Sequence, residues 1–269
     1  MKQKIVSNID PSWPHIEVDF HKSIDLYVDS FVNYKNNENY KILWVKEADE
    51  ISNFSQHAIN NFKHFDLILT YHQDILDQCK NSIMFEFGTS WILGYQNKNK
   101  KKFQISHLTG GKNYTQGHKL RQNIHKRQQE IINPIDFYIS SHIPIRNDFN
   151  SKFIYDKKDP LFDSQFHICI ENSKQKNLLT EKIIDCLYSK TIPIYYGCEN
   201  INDFFDTNGF LIANSADEII RICNSIDETT YQNKTKHINL NYQKSLDYLY
   251  LTDRLQKKLQ QILFNITEL

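Results

Sequence analysis

The chain has 269 residues, 40% of them hydrophobic and 13% aromatic, with 32 Lys+Arg against 32 Asp+Glu and a formal net charge of zero. That length suits one large domain or two small ones, and that composition excludes a disordered chain. The charge balance argues against a nucleic-acid partner, and no uncharged apolar run is long enough to span a membrane.

Cys79, Cys169, Cys186, Cys198 and Cys223 form no Cys-x-x-Cys pair and fall inside or beside apolar patterns. They read as reduced, buried thiols. The N-terminal Met-Lys-Gln-Lys-Ile-Val-Ser-Asn has no apolar core of signal-peptide length. The expected location is cytoplasmic.

Residues 1–40 are the least legible, with a short strand possible at Lys4–Val6 and an ambiguous alternation from Ile24 to Val32. Ile42-Leu-Trp-Val45 is a clear strand that delivers Lys46-Glu47-Ala48-Asp49-Glu50 to its C-terminal end. A helix is predicted over Ser52 to Phe62, a strand over Asp66 to Thr70, a short helix around Asp74 to Cys79, and a strand over Ile83 to Phe87 that stops at Gly88. This alternation suggests a small Rossmann-like layer. The Asn- and Lys-rich stretch 97–102 reads as a solvated linker.

Strand Phe103–Leu108 follows, then the loop Thr109-Gly-Gly-Lys-Asn-Tyr-Thr-Gln-Gly117 and a helix over His118 to Ile132. Strand, Gly-rich loop and helix form the arrangement that offers backbone N–H groups to a phosphate. The loop is neither a Walker A sequence nor Gly-x-Gly-x-x-Gly. Asp136–Ile139 is another strand, and Ser140–Ser164 is a long polar connection. Phe166–Ile170 then gives a strand, a helix runs from about Leu178 with Leu179, Ile183, Ile184 and Leu187 inward, and Ile192–Tyr196 gives a strand broken by Gly197. Helices over Ala213–Ile226 and from Glu228 follow. The tail from Tyr248 carries Leu255, Leu259, Ile262, Leu263 and Ile266 at helical spacing, an amphipathic helix that packs on the body. The expected domains are 1–97, 98–245 and this helix, 246–269.

The polar residues of the 166–210 unit sit where a parallel sheet binds ligands. Glu181 and Lys182 lie in the first helical turn, where a lysine opposes the helix dipole unless an anion is bound there. Glu181 faces Asp185 one turn on, a like-charge pair. Glu171-Asn172-Ser173 reads equally as a turn or as a hydrogen-bonding set for a sugar or ribose. Arg121 is either solvated or a bidentate phosphate contact. Glu47 is either a loop carboxylate or a general base. The histidines form no set at metal-ligand spacing and no Asp-x-Asp pair occurs, so a diphosphate would be held by cations and helix ends rather than through a metal.

Phe166-His-Ile-Cys-Ile-Glu-Asn-Ser173, Thr180-Glu-Lys182, Thr191-Ile-Pro-Ile-Tyr-Tyr-Gly197, Asn200-Ile and Gly209-Phe-Leu-Ile212 resemble, in order and spacing, the signature of the family 10 glycosyltransferases, the α-1,3/1,4-fucosyltransferases. Segment 103–131 looks like the first unit of that family's donor domain, with Arg121 as its phosphate-contacting arginine. Ile42-Leu-Trp-Val-Lys-Glu47 resembles the acceptor-domain strand that ends in the proposed base, without the Pro and Ser that commonly follow. The resemblance implies the glycosyltransferase B fold, α/β, with two Rossmann-like domains facing across a cleft and a reduced acceptor side. It implies GDP-fucose as donor, a glycan hydroxyl as acceptor, inversion at the anomeric carbon, and no metal or other cofactor. Donor contacts would fall on Arg121, Glu171, Asn172, Ser173, Thr180, Glu181, Lys182 and Gly197, the last by letting backbone approach the ligand. The lack of an anchor resembles the bacterial or viral members. A different nucleotide sugar on the same fold, and a non-catalytic nucleotide-binding module, are the alternatives.

Overall fold

The computed structural model describes residues 2–5, 16–31, 34–96, 101–149 and 151–267. Most of the expected linker, 97–100, lies outside them. The chain divides into two compact units, Met1–Phe87 with Tyr250–Leu269, and Gly88–Leu249. The division therefore falls at 87/88 rather than at 97/98. Ser90, Trp91 and Tyr95 are the reason: Ser90 and Trp91 bond to Asp185, and Tyr95 donates to the Phe162 carbonyl.

In the first unit β1 (Lys2–Ile5) pairs antiparallel with β2 (Ile16–Asp19). Strands β3 (Ile24–Val28), β4 (Tyr40–Val45), β5 (Leu67–Thr70) and β6 (Ser82–Met84) form a parallel sheet in that order. Short helices α1 (Asp49–Ser52), α2 (Ser55–Asn61) and α3 (Gln73–Gln78) join them. A strand turns successive side chains to opposite faces. Leu43, Val45 and Ile68 accordingly pack with Ala58, Phe65 and Ile75 on one face, while Ile42, Trp44, Leu67 and Leu69 go to the other. Covering both faces of a parallel sheet explains why β3, legible only as ambiguous alternation, is buried throughout.

The second unit holds a parallel six-stranded sheet. Its elements are β7 (Lys102–Thr109), α4 (Gln116–Lys126), β8 (Ile135–Ser140), β9 (Lys152–Ile154), β10 (Ser164–Ile170), α5 (Glu181–Tyr188), β11 (Ile192–Tyr196), β12 (Leu211–Ile212), α6 (Ala216–Ser225), α7 (Glu228–Asn233) and α8 (Thr235–Ser245). The strand order β12-β11-β10-β7-β8-β9 is that of a doubly wound dinucleotide-binding sheet, and it reverses between β7 and β10. Lys101, expected in a solvated linker, is buried and donates to the Phe162 carbonyl and, at 2.9 Å, to Thr191 Oγ1. The chain then returns to the first unit through α9 (Leu251–Thr267), whose Leu255, Leu259 and Leu263 complete the face formed by Ile42, Trp44 and Leu69.

Candidate active site

The switch point between β7 and β10 opens on a cavity of about 320 Å³ lined, among others, by Gly110, His118, Arg121, Lys158, His167, Asn172, Glu181, Lys182 and Asp185. Ligands bind outside the carboxyl ends of the strands at such a point. Arg121, Asn172, Glu181 and Lys182, singled out in the sequence, meet here. Lys158 joins them from the polar connection before β10.

Thr180 caps α5: its Oγ1 accepts from Lys182 N at 3.2 Å and donates to Glu171 Oε2 at 2.6 Å. The helix starts at Glu181 rather than near Leu178, and this brings Glu181 and Lys182 to the cavity. Lys182 Nζ donates to Glu181 Oε1 at 2.9 Å and lies 3.8 Å from Glu171 Oε2. Lys158 Nζ stands 3.9 Å from Glu181 Oε1 and 3.9 Å from the centre of the Trp91 ring. Burial pushes the Glu181 carboxyl up, but the charges of Lys182 and Lys158 outweigh it and hold it down at about 2. Lys182 loses by burial and gains more from Glu181 and Glu171, so its ammonium is held above the usual lysine range.

Arg121 is already engaged. Its terminal nitrogens donate to the Ile170 carbonyl and, at 2.8 Å, to Asn172 Oδ1. The guanidinium is thus fixed at the cavity wall by the end of β10, with donors to spare.

The other expected contacts lie behind the cavity wall. Glu171 and Ser173 are fully buried and do not line the cavity. Glu171 N continues the ladder by donating to the Tyr196 carbonyl at 2.8 Å, and its side chain turns under the strand end to Thr180. Gly197 does not line the cavity, and a Cβ there would meet Glu171 Cγ at 2.4 Å and Tyr195 Oη at 2.6 Å. The Gly-rich loop does not present free amides throughout. Gly111 N donates to the Ile143 carbonyl at 2.6 Å, and Gly117 N to the Asn172 carbonyl at 2.9 Å.

Gly117 fixes how closely α4 approaches β10, because a Cβ there would lie 1.8 Å from the Glu171 carbonyl oxygen. Backbone cannot rotate away as a side chain can. Gly117→Ala is expected to destabilise the protein by about 1–3 kcal/mol, read as a lower urea midpoint. An unchanged midpoint would mean that the junction yields freely.

Among the residues the sequence did not single out, Asp185 accepts from Ser90 Oγ at 2.8 Å and Trp91 N at 2.9 Å. Burial pushes its carboxyl up to about 7, the Trp91 N–H opposing and the nearby Glu181 charge adding. In His167, burial brings the ring pKa down to about 3. Ser106 Oγ spends its proton on the Leu161 carbonyl at 2.6 Å, so it accepts from His167 Nδ1–H at 2.7 Å. That leaves His167 Nε2 as a pure acceptor.

In the first unit Glu47 lies two residues beyond the end of β4 with its side chain 40% exposed, and its Oε1 accepts from Lys46 Nζ at 3.0 Å. Its backbone is held twice. Asp29 Oδ1 accepts from Lys46 N at 2.8 Å and Glu47 N at 3.2 Å, and His72 Nε2 bonds to the Glu47 carbonyl at 2.9 Å. Asp29 adopts a left-handed φ of 46° to do so. Among the described residues no cluster of three or more His, Cys, Asp or Glu could hold a metal ion, and no helix is long and apolar enough to cross a membrane.

Residues 121–242 match the family model described as glycosyltransferase family 10 (fucosyltransferase) C-term. The matched segment includes Arg121, Asn172, Glu181 and Lys182. The alpha-(1,3)-fucosyltransferase FucT of Helicobacter pylori is 29% identical over 98 residues, 36% of this chain and 20% of that protein. The matched segment therefore spans a fifth of that relative's length. A crystal structure of an alpha1,3-fucosyltransferase with GDP superposes with a TM-score of 0.53 at 16% identity, covering 84% of this chain and 76% of that one. TarM does so at 0.56, with 14% identity and coverages of 90% and 55%, and OtsA at 0.57, with 10% identity and coverages of 90% and 73%. The fold is the glycosyltransferase B type, as expected.

Proposed function

We propose that this protein transfers fucose from GDP-fucose to a glycan hydroxyl, with inversion at the anomeric carbon and without a metal ion. The observation that carries the reading is the convergence of Arg121, Lys158 and Lys182 on one cavity at the β7/β10 switch point, inside or beside the segment that matches the family 10 model. The acceptor oxygen attacks the anomeric carbon, the bond from that carbon to the diphosphate breaks, and GDP leaves with the electron pair. Negative charge grows on the leaving phosphate, so fixed cations stabilise the transition state more than the ground state. These cations do the electrostatic work that a divalent ion does in metal-dependent transferases. The proton of the acceptor hydroxyl goes to a carboxylate, Glu47 on this reading. Asn172 and the His167 acceptor would orient hydroxyls of the donor, while Glu181 would hold Lys182 in place. The five cysteines, all buried and free, support a reducing, cytoplasmic location.

The test is a thermal-shift screen of nucleotide sugars, in which specific binding raises apparent stability. A selective shift with GDP and GDP-fucose, and GDP release on adding a fucosyl acceptor, is the expected result. Selective shifts with a uridine nucleotide instead would overturn the donor assignment. Lys182→Ala is expected to weaken GDP binding by about 1.5–3 kcal/mol, the size of a charge-assisted hydrogen bond, measured by calorimetry. Wild-type affinity in that variant would remove Lys182 from the diphosphate site.

A further inference from the structure

His118 is the third residue of α4, is 6% exposed and lines the cavity. Its Nδ1 lies 3.3 Å from Thr115 N and 2.8 Å from Thr115 Oγ1. A backbone N–H can only donate, so Nδ1 is the acceptor, and a neutral ring carries its proton on Nε2. The ring is neutral because burial, followed by the charge of Arg121, brings its pKa down to about 4. Nε2–H has no hydrogen-bond partner among the described residues. Tyr114 packs edge-on against the ring, 4.7 Å between centres. Nε2 is reached by solvent where His118 lines the cavity, so its N–H is available to an acceptor that enters there.

The neighbouring amides cannot be the groups that meet a ligand. His118 N donates to Thr115 Oγ1 at 3.1 Å, Gly117 N to the Asn172 carbonyl at 2.9 Å and Lys119 N to the Thr115 carbonyl at 3.1 Å. The first turn of α4 is closed by its own cap. What it offers the cavity is side chains, and His118 and Arg121, three residues apart, share one helix face.

We propose that His118 Nε2–H donates to a phosphoryl oxygen of the nucleoside diphosphate, beside the Arg121 guanidinium. The assignment rests on the nucleotide-sugar reading above and extends it with a neutral donor, which adds no charge to a site where Arg121 and Lys182 already repel one another. The competing role is that of a helix cap alone, acting only through Nδ1.

His118→Asn separates the two. An asparagine Oδ1 can still accept from Thr115 N, but nothing remains at the Nε2 position. The expected result is a GDP dissociation constant raised about tenfold, guanosine affinity unchanged, and thermal stability of the ligand-free protein unchanged. GDP affinity equal to wild type in His118→Asn overturns the proposal. Equal losses for GDP and guanosine, together with lower thermal stability, also overturn it, because that is what a broken cap produces. Failure of the underlying reading appears separately: wild-type protein would bind neither GDP nor pyrophosphate, and the assignment would fall with it.

Discussion

Glu47→Gln is expected to lower fucosyl transfer by roughly 10²- to 10⁴-fold, the usual contribution of a positioned general base, with GDP affinity unchanged. The substitution keeps the shape of the side chain and an oxygen that can accept from Lys46, so the loss reports the missing base rather than a disturbed strand end. GDP affinity should hold because Glu47 belongs to the unit Met1–Phe87, whereas Arg121, Lys158 and Lys182 line a cavity within Gly88–Leu249. The carboxylate is displayed by a rigid backbone. Asp29 holds both amides at the strand end and His72 holds the Glu47 carbonyl, the kind of support that keeps a reacting group within tolerance. Initial rates of GDP release at saturating donor, set beside calorimetric GDP binding, decide the matter. Unimpaired turnover would remove Glu47 from the mechanism. Impaired turnover with equally impaired GDP binding would show that the residue acts through the donor.

The second large effect concerns pH. The native state keeps the Asp185 proton up to about pH 7, while the unfolded chain releases it near the ordinary carboxyl value of about 3.9. Between those values the unfolded state binds fewer protons than the native state, so stability falls as pH rises through the window. At 1.36 kcal/mol per pKa unit the full cost, reached above neutrality, is on the order of 4 kcal/mol. Asp185→Asn cannot ionise, and its Oδ1 still accepts from Ser90 and Trp91. This variant should lose the decline between about pH 4 and pH 7 and be the more stable protein above it. Glu181 acts in the opposite sense and elsewhere. Its carboxyl is held at about 2, so its contribution is present above the unfolded carboxyl value and disappears only on strong acidification. Urea midpoints for both proteins across the window are the measurement, and parallel pH profiles would refute the assignment.

Much of the second unit was legible because its elements carry their own signals. Alternating apolar runs end at Gly197 and Thr109, Thr180 caps a helix with apolar spacing, and the order of polar residues around them matches a family pattern. Direction at a strand end was not legible. Glu171, Asn172 and Ser173 are consecutive, yet only Asn172 reaches the cavity, and which residue does so depends on how β10 meets α4 across Gly117. Lys158, His118 and Asp185 were missed because each acquires its role through distant partners: Glu181 for Lys158, the cavity for His118, Ser90 and Trp91 for Asp185. Strand β9 was hidden for a different reason. Lys152–Ile154 is a short strand at the sheet edge, paired only with β8, and only Ile154 is buried, so no apolar period betrays it. The division at 87/88 was obscured by an Asn- and Lys-rich stretch that draws the eye ten residues too far.

The packing of α9 bears on the order in which this protein is made. Leu255, Leu259 and Leu263 are fully buried against a sheet whose strands lie before residue 85. A ribosome therefore delivers every strand of that sheet long before the helix that covers one of its faces. Domains commonly mature in the order in which they emerge during synthesis. Here the order is inverted: the unit encoded in the middle, Gly88–Leu249, holds all its own parts first. The unit that contains Glu47 waits with an open apolar face until Leu263 has been added, so it is the later of the two units to mature.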